Sequence, residues 1–202
     1  MKYIAGILFG VLIFISCETR KKAEVNSSDS FQINLVEFYS NPDTTPLDQA
    51  EKQNFVGITF FPIQKKYKIN ANYQPIENGK VIPFPTSAGK IKHYKEFGLV
   101  KFTLDGKEQE LTIYQSSPIQ EAYQEHLFLP FTDDTNGVTT YGGGRYIDLS
   151  LQDLDLQNNM VIVDFNQAYN PYCAYSERYN CPIPPGNNSM DIEINAGVTY
   201  KK

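Results

Sequence analysis

The residue whose chemistry is most specifically set by its surroundings is Cys17. Met1-Lys2 forms a short positive start, and residues 4–15 then give an apolar run of about 12 residues. The run ends in Phe14-Ile15-Ser16-Cys17, a small residue followed by a thiol. A thiol at that point is the nucleophile for diacylglyceryl transfer, and the small Ser16 suits a peptidase that cuts just before a lipidated cysteine. Phe14 stands where Leu is more usual. A permanent membrane span needs roughly 20 apolar residues, so this run reads as a removable export signal. Residues 1–16 are therefore expected to be a lipoprotein signal peptide, with Cys17 the acylated N-terminus of the mature chain. An ordinary cleaved signal with an incidental cysteine is the alternative. At about 0.8 kcal/mol per buried methylene, two or more palmitate-like chains hold a protein on a lipid bilayer.

A second constellation lies between residues 142 and 181. Gly142, Gly143 and Gly144 precede Arg145, and their amides with the guanidinium offer a small anion pocket. Three glycines also suit a bulge or tight turn. In an extended 145–149 segment, Arg145, Ile147 and Leu149 share one face. A guanidinium at the edge of an apolar face needs a carboxylate. Asp164, at the end of the apolar run 160–163, is the expected partner, since Asp148 points to the opposite face. This ion pair is then structural. Asn166, Tyr169 and Asn170 are expected either to line a polar cleft or to satisfy the backbone of a long irregular segment. A hydrolase centred on Arg145, Asp148, Asp164 and Asn166 is the alternative to a binding protein, and acids alone support it.

Cys173 and Cys181 lie on the same segment. Outside the cytoplasm such a pair can oxidise, and with Cys17 acylated no odd thiol is left. Two free thiols in the core are the alternative to this disulfide. No metal site is expected, because His93 and His126 lie far from these cysteines and lack metal-binding spacing. Both histidines read as surface or packing residues. The 133–137 stretch Asp133-Asp134-Thr135-Asn136-Gly137 fails as a calcium loop, because its closing acid would fall at Gly143. It reads as a polar turn. Neither a Gly-x-Ser-x-Gly elbow nor a glycine-rich nucleotide loop is present, and no cofactor is expected.

The elements that must position these residues are mostly strands. At 202 residues the chain suits one core, and 41% hydrophobic with 20% charged content is globular. A net charge of −5 without a basic stripe repels phosphates, so nucleic acid is not an expected partner. Residues 17–30, rich in charge and serine, read as a flexible tether, and residues 31–202 as a single β-rich domain. Residues 31–40 are amphipathic without a clear type. Thr45-Pro46-Leu47-Asp48 reads as a helix start, with Thr45 as cap and the helix ending near Asn54. Strands are expected at 58–61, 67–73, 99–104, 108–114, 127–131, 145–149, 160–165 and 191–196. Asp105-Gly106 supplies a tight hairpin turn. Prolines throughout leave no room for long helices. The expected fold is mainly β, a single antiparallel β-sandwich or open barrel with a short N-terminal helix and a long Pro-rich C-terminal loop.

In order along the chain stand Phe131-Thr132-Asp133-Asp134-Thr135-Asn136-Gly137, Thr140-Tyr141-Gly142-Gly143-Gly144-Arg145, Asp164 to Tyr175, Tyr179-Asn180-Cys181-Pro182 and Ile194-Asn195-Ala196-Gly197. With Pro46-Leu47, Phe55, Phe60-Phe61-Pro62 and Thr86-Ser87-Ala88-Gly89, the chain resembles an uncharacterised bacterial and archaeal family catalogued as domain of unknown function 1684. The resemblance spans roughly residues 45–200 and implies no established activity, substrate or cofactor. The family looks not to be confined to exported proteins, which keeps free thiols at Cys173 and Cys181 open. Its final motif usually reads Ala-Gly-Glu, whereas Val198 stands here in place of the acid. The expected function is a cell-envelope, membrane-anchored lipoprotein that binds a small polar ligand, a glycan or a protein partner.

Labelled palmitate is expected to enter the full chain when it is expressed in a bacterium. Cys17→Ala should abolish the label and move the protein to the soluble fraction on membrane sedimentation.

Overall fold

Asp105 and Gly106 take φ values of 49° and 79°, the left-handed pair that a two-residue hairpin demands. They join β3 (Ile91–Leu104) to β4 (Lys107–Ser116), whose pairing runs from Leu104 opposite Lys107 to Tyr94 opposite Ser116. The computed structural model describes residues 27–200. The expected signal peptide, Cys17 and residues 18–26 of the expected tether lie outside the described residues.

Around this hairpin the remaining strands add in antiparallel fashion. They are β1 (Lys68–Pro75), β2 (Val81–Pro85), β5 (His126–Phe131), β6 (Arg145–Ser150), β7 (Leu154–Asp155) and β8 (Met160–Asp164). The sheet order is β6-β5-β4-β3-β1-β8-β7, and β2 pairs with the first half of β3. The chain is thus mainly β, as expected. The eight strands form one open sheet that does not close into a barrel. A single bridge between Tyr146 of β6 and Tyr169, just beyond β8, spans the gap with backbone bonds of 2.9 and 3.0 Å.

Alternation sends Val100, Leu111, Ile113, Leu127, Leu129, Ile147, Val161 and Val163 to one core. Phe84, Tyr114, Phe128 and Tyr146 form a second, aromatic cluster. β5 contributes to both, which explains its unbroken Leu127-Phe128-Leu129-Pro130-Phe131 run: both of its faces are covered. β4 and β5 pair only at Tyr114 opposite Phe128. Beyond that point the side chain of Asn188 takes the partner's place. Its Oδ1 accepts from Thr112 N at 2.9 Å, and its Nδ2 donates to Thr112 O at 2.8 Å and Pro130 O at 2.7 Å.

The stretch 31–40 belongs to α1 (Ser27–Ser40), which takes in the last four residues of the expected tether. α2 (Gln49–Asn54) ends where the sequence indicated but starts later. Its cap is Asp48, not Thr45, because Asp48 and Glu51 form a reciprocal capping box. Two expected strands are absent. Residues 58–61 contribute one bridge, Phe60 with Val198, and residues 191–196 are irregular. In both, the backbone is met by side chains and isolated bonds instead of a ladder. Among the described residues no helix is long and apolar enough to cross a membrane.

Gly106 and Gly197 both hold positive φ, but only Gly197 is also crowded. A Cβ there would lie 2.5 Å from Ala168 O, whereas nothing lies within 4 Å of one at Gly106. Gly106→Ala should cost about 1 kcal/mol, and Gly197→Ala roughly 3 kcal/mol or more, as read by urea denaturation.

Candidate functional site

Arg145 begins β6 and shares the core-facing side with Ile147 and Leu149, so its guanidinium is 0% exposed. A charge held there needs a counter-ion and acceptors. Nη2 lies 2.8 Å from Asp133 Oδ2 and 2.8 Å from Ile194 O, and Nη1 donates to Ala196 O. Asp133 Oδ1 accepts from Thr135 N at 2.9 Å, from the Thr135 hydroxyl, and from Ile194 N at 3.2 Å. The Arg145 ring neighbour is Phe131, 5.3 Å away. Burial pushes the guanidinium below its ordinary pKa, and the Asp133 charge opposes that shift.

The expected pairing of Arg145 with Asp164 is therefore corrected. The β5–β6 register sets Phe131 opposite Arg145, so the residues just past Phe131 lie beside the guanidinium. Asp164 instead caps its own turn. It accepts from Asn166 N at 3.0 Å, Asn166 Nδ2 at 2.8 Å, Ser28 Oγ at 2.6 Å and Gln167 Nε2 at 3.3 Å. Asn166 in turn receives Gln64 N on Oδ1 at 3.0 Å and donates to Gln64 O at 3.1 Å. These two residues bind α1 and the 61–64 segment to the end of β8.

The glycines and Arg145 do not combine into an anion pocket. The Gly144 amide donates to Tyr141 O at 3.1 Å, and the guanidinium is spent in the core. Tyr169 sends its hydroxyl to Asp148 Oδ2 at 2.8 Å, on the face opposite Arg145. The eight candidate residues are thus divided among several places.

Two of those places meet at Tyr200. Gly142 and Gly143, with Gly137, Val138, Thr140 and Tyr141, line a cleft of about 310 Å³ against the Tyr200 side chain. On the other side of Tyr200 a cleft of about 340 Å³ is lined by Phe55, Val56, Gly57, Ala174, Tyr175 and Thr199, with Glu51 also on its wall. The last residues are stitched between the two lips: Thr199 N donates to Thr59 O at 2.8 Å and Tyr200 N to Thr139 O at 2.9 Å. Val56 and Val138, one on each lip, are 81% and 78% exposed, the highest values among the large hydrophobic side chains described. Sequence reasoning missed this site. No local pattern in the sequence marks it, because its lips come from segments far apart in the chain.

Behind the larger cleft the polar groups are incompletely matched. Asn170 Nδ2 donates to the Tyr175 hydroxyl at 2.8 Å and to Thr199 O at 3.4 Å, while its buried Oδ1 has no partner. The buried Tyr39 hydroxyl also lacks one, and its ring packs on Phe55 and Tyr175. Burial pushes the Tyr175 hydroxyl up to about 12. At the rim, a hydrogen bond from Arg178 holds the Glu51 carboxyl down at about 2. Arg178 belongs to the loop that Cys173 and Cys181 close with a disulfide, Sγ–Sγ 2.08 Å. Among the described residues no group of three or more His, Cys, Asp or Glu is arranged to hold a metal ion.

Val198, in place of the acid, is fully buried and donates its amide to Ala168 O at 2.8 Å. The family described as "Protein of unknown function (DUF1684)" matches residues 53–199. A solution NMR structure of an uncharacterized protein from gene locus rrnAC0354 of Haloarcula marismortui is similar, at 30% identity and a TM-score of 0.66. The match covers 85% of this chain and 92% of that one. No protein in the curated set matches.

Arg145→Met and Asp133→Asn should each cost about 3–5 kcal/mol, because each leaves the other charge buried and alone. Combined, they should fall short of additivity by more than about 1 kcal/mol. Arg145→Met with Asp164→Asn should be additive by the same denaturation measurement.

Proposed function

The chain belongs to the family described as Protein of unknown function (DUF1684), and we propose that this member is a lipid-anchored envelope protein that binds a small ligand in the clefts on either side of Tyr200. The observation that carries this reading is the pair of exposed valines set over two clefts of ligand-binding size. Small-molecule sites start at about 300 Å³ and combine apolar walls with a few polar groups. Phe55, Val56, Tyr175 and Tyr200 supply such walls, and Thr59, Thr199 and Asn54 the polar groups.

Anchoring through an acylated Cys17 belongs to the same proposal. It is supported by the 14–17 motif and by a Cys173–Cys181 disulfide, which suits an oxidising compartment. The ligand is expected to be compact and amphiphilic, such as a saccharide unit or a short peptide of an envelope partner. The hydrolase reading loses support from the geometry. Arg145 is committed to Asp133, Asp164 and Asn166 tie down α1, and Asp148 stands apart from all three.

Amide spectra of residues 27–202 titrated with envelope mono- and disaccharides and short peptides provide the test. At least one compound should give saturable shifts at residues 55–59, 137–143 and 199–200. Val56→Asp and Val138→Asp, both on exposed side chains, should weaken that compound tenfold or more without changing the fold. Saturable shifts elsewhere, or indifference to both substitutions, would rule the clefts out.

A further inference from the structure

α2 (Gln49–Asn54) has only six residues, and none of its side chains is buried. A helix that short does not hold itself together in water. Leu47 is buried just before it, and Phe55 packs on Tyr39 and Tyr175 just after it. Between those two points the helix is fastened from outside, by residues of a distant loop. Arg178 Nη2 donates to Pro46 O at 2.8 Å and to Glu51 Oε2 at 3.1 Å, and Arg178 Nε lies 3.4 Å from Asp48 Oδ2. The Tyr179 hydroxyl donates to the same Pro46 O at 2.9 Å. Asp48 and Glu51 are the two members of the capping box, and Glu51 Oε2 also accepts from Asp48 N at 2.8 Å. The loop grips the helix by its cap.

That loop has little backbone structure to fix it. Among the described residues, 177–180 make no backbone–backbone hydrogen bond to any other segment. The shape of the loop is set at its base, where Cys173 and Cys181 are joined. Ser87, in the turn between β2 and β3, holds both ends of this base. Its Oγ donates to Cys173 Sγ at 3.1 Å and accepts from Cys181 N at 3.2 Å, and its amide donates to Cys181 O at 3.0 Å. With the sulfurs apart, residues 173–181 regain conformational freedom that must be given up again to grip α2. Closing the loop removes that freedom in advance. The loop also supplies one wall of the larger cleft through Ala174 and Tyr175, and α2 runs into another at Phe55, Val56 and Gly57.

We propose that closing the Cys173–Cys181 disulfide assembles the larger cleft and makes it an oxidation-dependent site, an inference that rests on reading that cleft as a binding site. In the closing reaction, one cysteine thiolate attacks the disulfide of an oxidised donor and releases one donor thiol. The second cysteine thiolate then attacks the mixed disulfide, forms the Cys173–Cys181 bond and releases the second donor thiol. Two electrons pass to the donor, and the two cysteine protons end on its departing thiolates. A dithiol reductant runs the same steps backwards. In the open form Arg178 and Tyr179 are no longer held over Pro46, so α2 frays and the wall at residues 55–57 loses its support. The cleft is therefore incomplete in a reducing compartment and is finished where disulfides persist.

Amide hydrogen exchange and amide spectra of the full chain, with no ligand added, compare the oxidised protein with the same protein reduced by excess dithiothreitol. Reduction should speed exchange at residues 50–54 tenfold or more and move the amide signals of residues 55–57. Exchange in the sheet, at residues 99–104 and 111–113, should stay as it was. Arg178→Gln, with the disulfide intact, should speed exchange at residues 50–54 several-fold. Because no ligand enters these measurements, a cleft that binds nothing leaves their outcome unaffected. The proposal is overturned if reduction leaves residues 50–57 unchanged, if exchange rises equally throughout the sheet, or if Arg178→Gln leaves α2 as protected as before.

Discussion

A single guanidinium placed inside an apolar core sets conditions that much of this structure exists to meet. Arg145 cannot be buried alone, because several kcal/mol of lost hydration must be offset by charge and by directed acceptors. Asp133 supplies the charge, and the carbonyls of Ile194 and Ala196 supply two of the acceptors. Those carbonyls belong to a segment without regular structure, so the guanidinium does for residues 194–196 what a ladder does for a strand. Asp133 reinforces the arrangement by taking the Ile194 amide as well. The C-terminal stretch is thereby drawn onto the sheet and brings Thr199 and Tyr200 to the two lips between which they are held.

Similar substitutions of side chain for backbone recur wherever the sheet is incomplete. Asn188 stands between β4 and β5 and meets the Thr112 amide and two carbonyls with one buried amide group. Asn166 pairs with both backbone groups of Gln64 in the same manner. Each such residue is short, neutral and able to donate and accept at once, which a single charged or apolar side chain cannot do. The resulting domain is held together by a few buried polar anchors set within two apolar clusters, in which most of the anchors' polar atoms are partnered and the Nε of Arg145 is not.

Most of the regular structure was legible in the sequence because it rests on local rules. The 105–106 turn, the alternation in 99–114 and the apolar run of β5 each declare themselves within a dozen residues. The inward side of Arg145 was also legible, by period-two spacing from Ile147. Its partner was not. Asp133 sits in a run of turn-forming residues, and only the β5–β6 register, not the composition, brings it beside position 145. Residues 58–61 and 191–196 looked like strands because their apolar residues alternate, yet 58–61 forms one bridge, Phe60 with Val198, and 191–196 forms none. The clefts at Tyr200 were invisible for a related reason, since they arise from segments near 56, 138 and 200 that share no local pattern. Of the anticipated polar residues, Tyr169 and Asp148 do meet, and His126, read only as a surface or packing residue, joins them.

The place of Asn188 between β4 and β5 bears on how the polypeptide reaches its final form. A chain emerging from its N-terminus exposes β4 and β5 long before position 188 exists. Until then the Thr112 amide and the carbonyls of Thr112 and Pro130 have only solvent to turn to, and Arg145 lacks its acceptors from residues 194–196. These bonds join residues some 50 to 80 positions apart, the kind of long-range contact that goes with slow folding. The anchors of β4, β5 and Arg145 are thus completed only once residues 188–196 have been made.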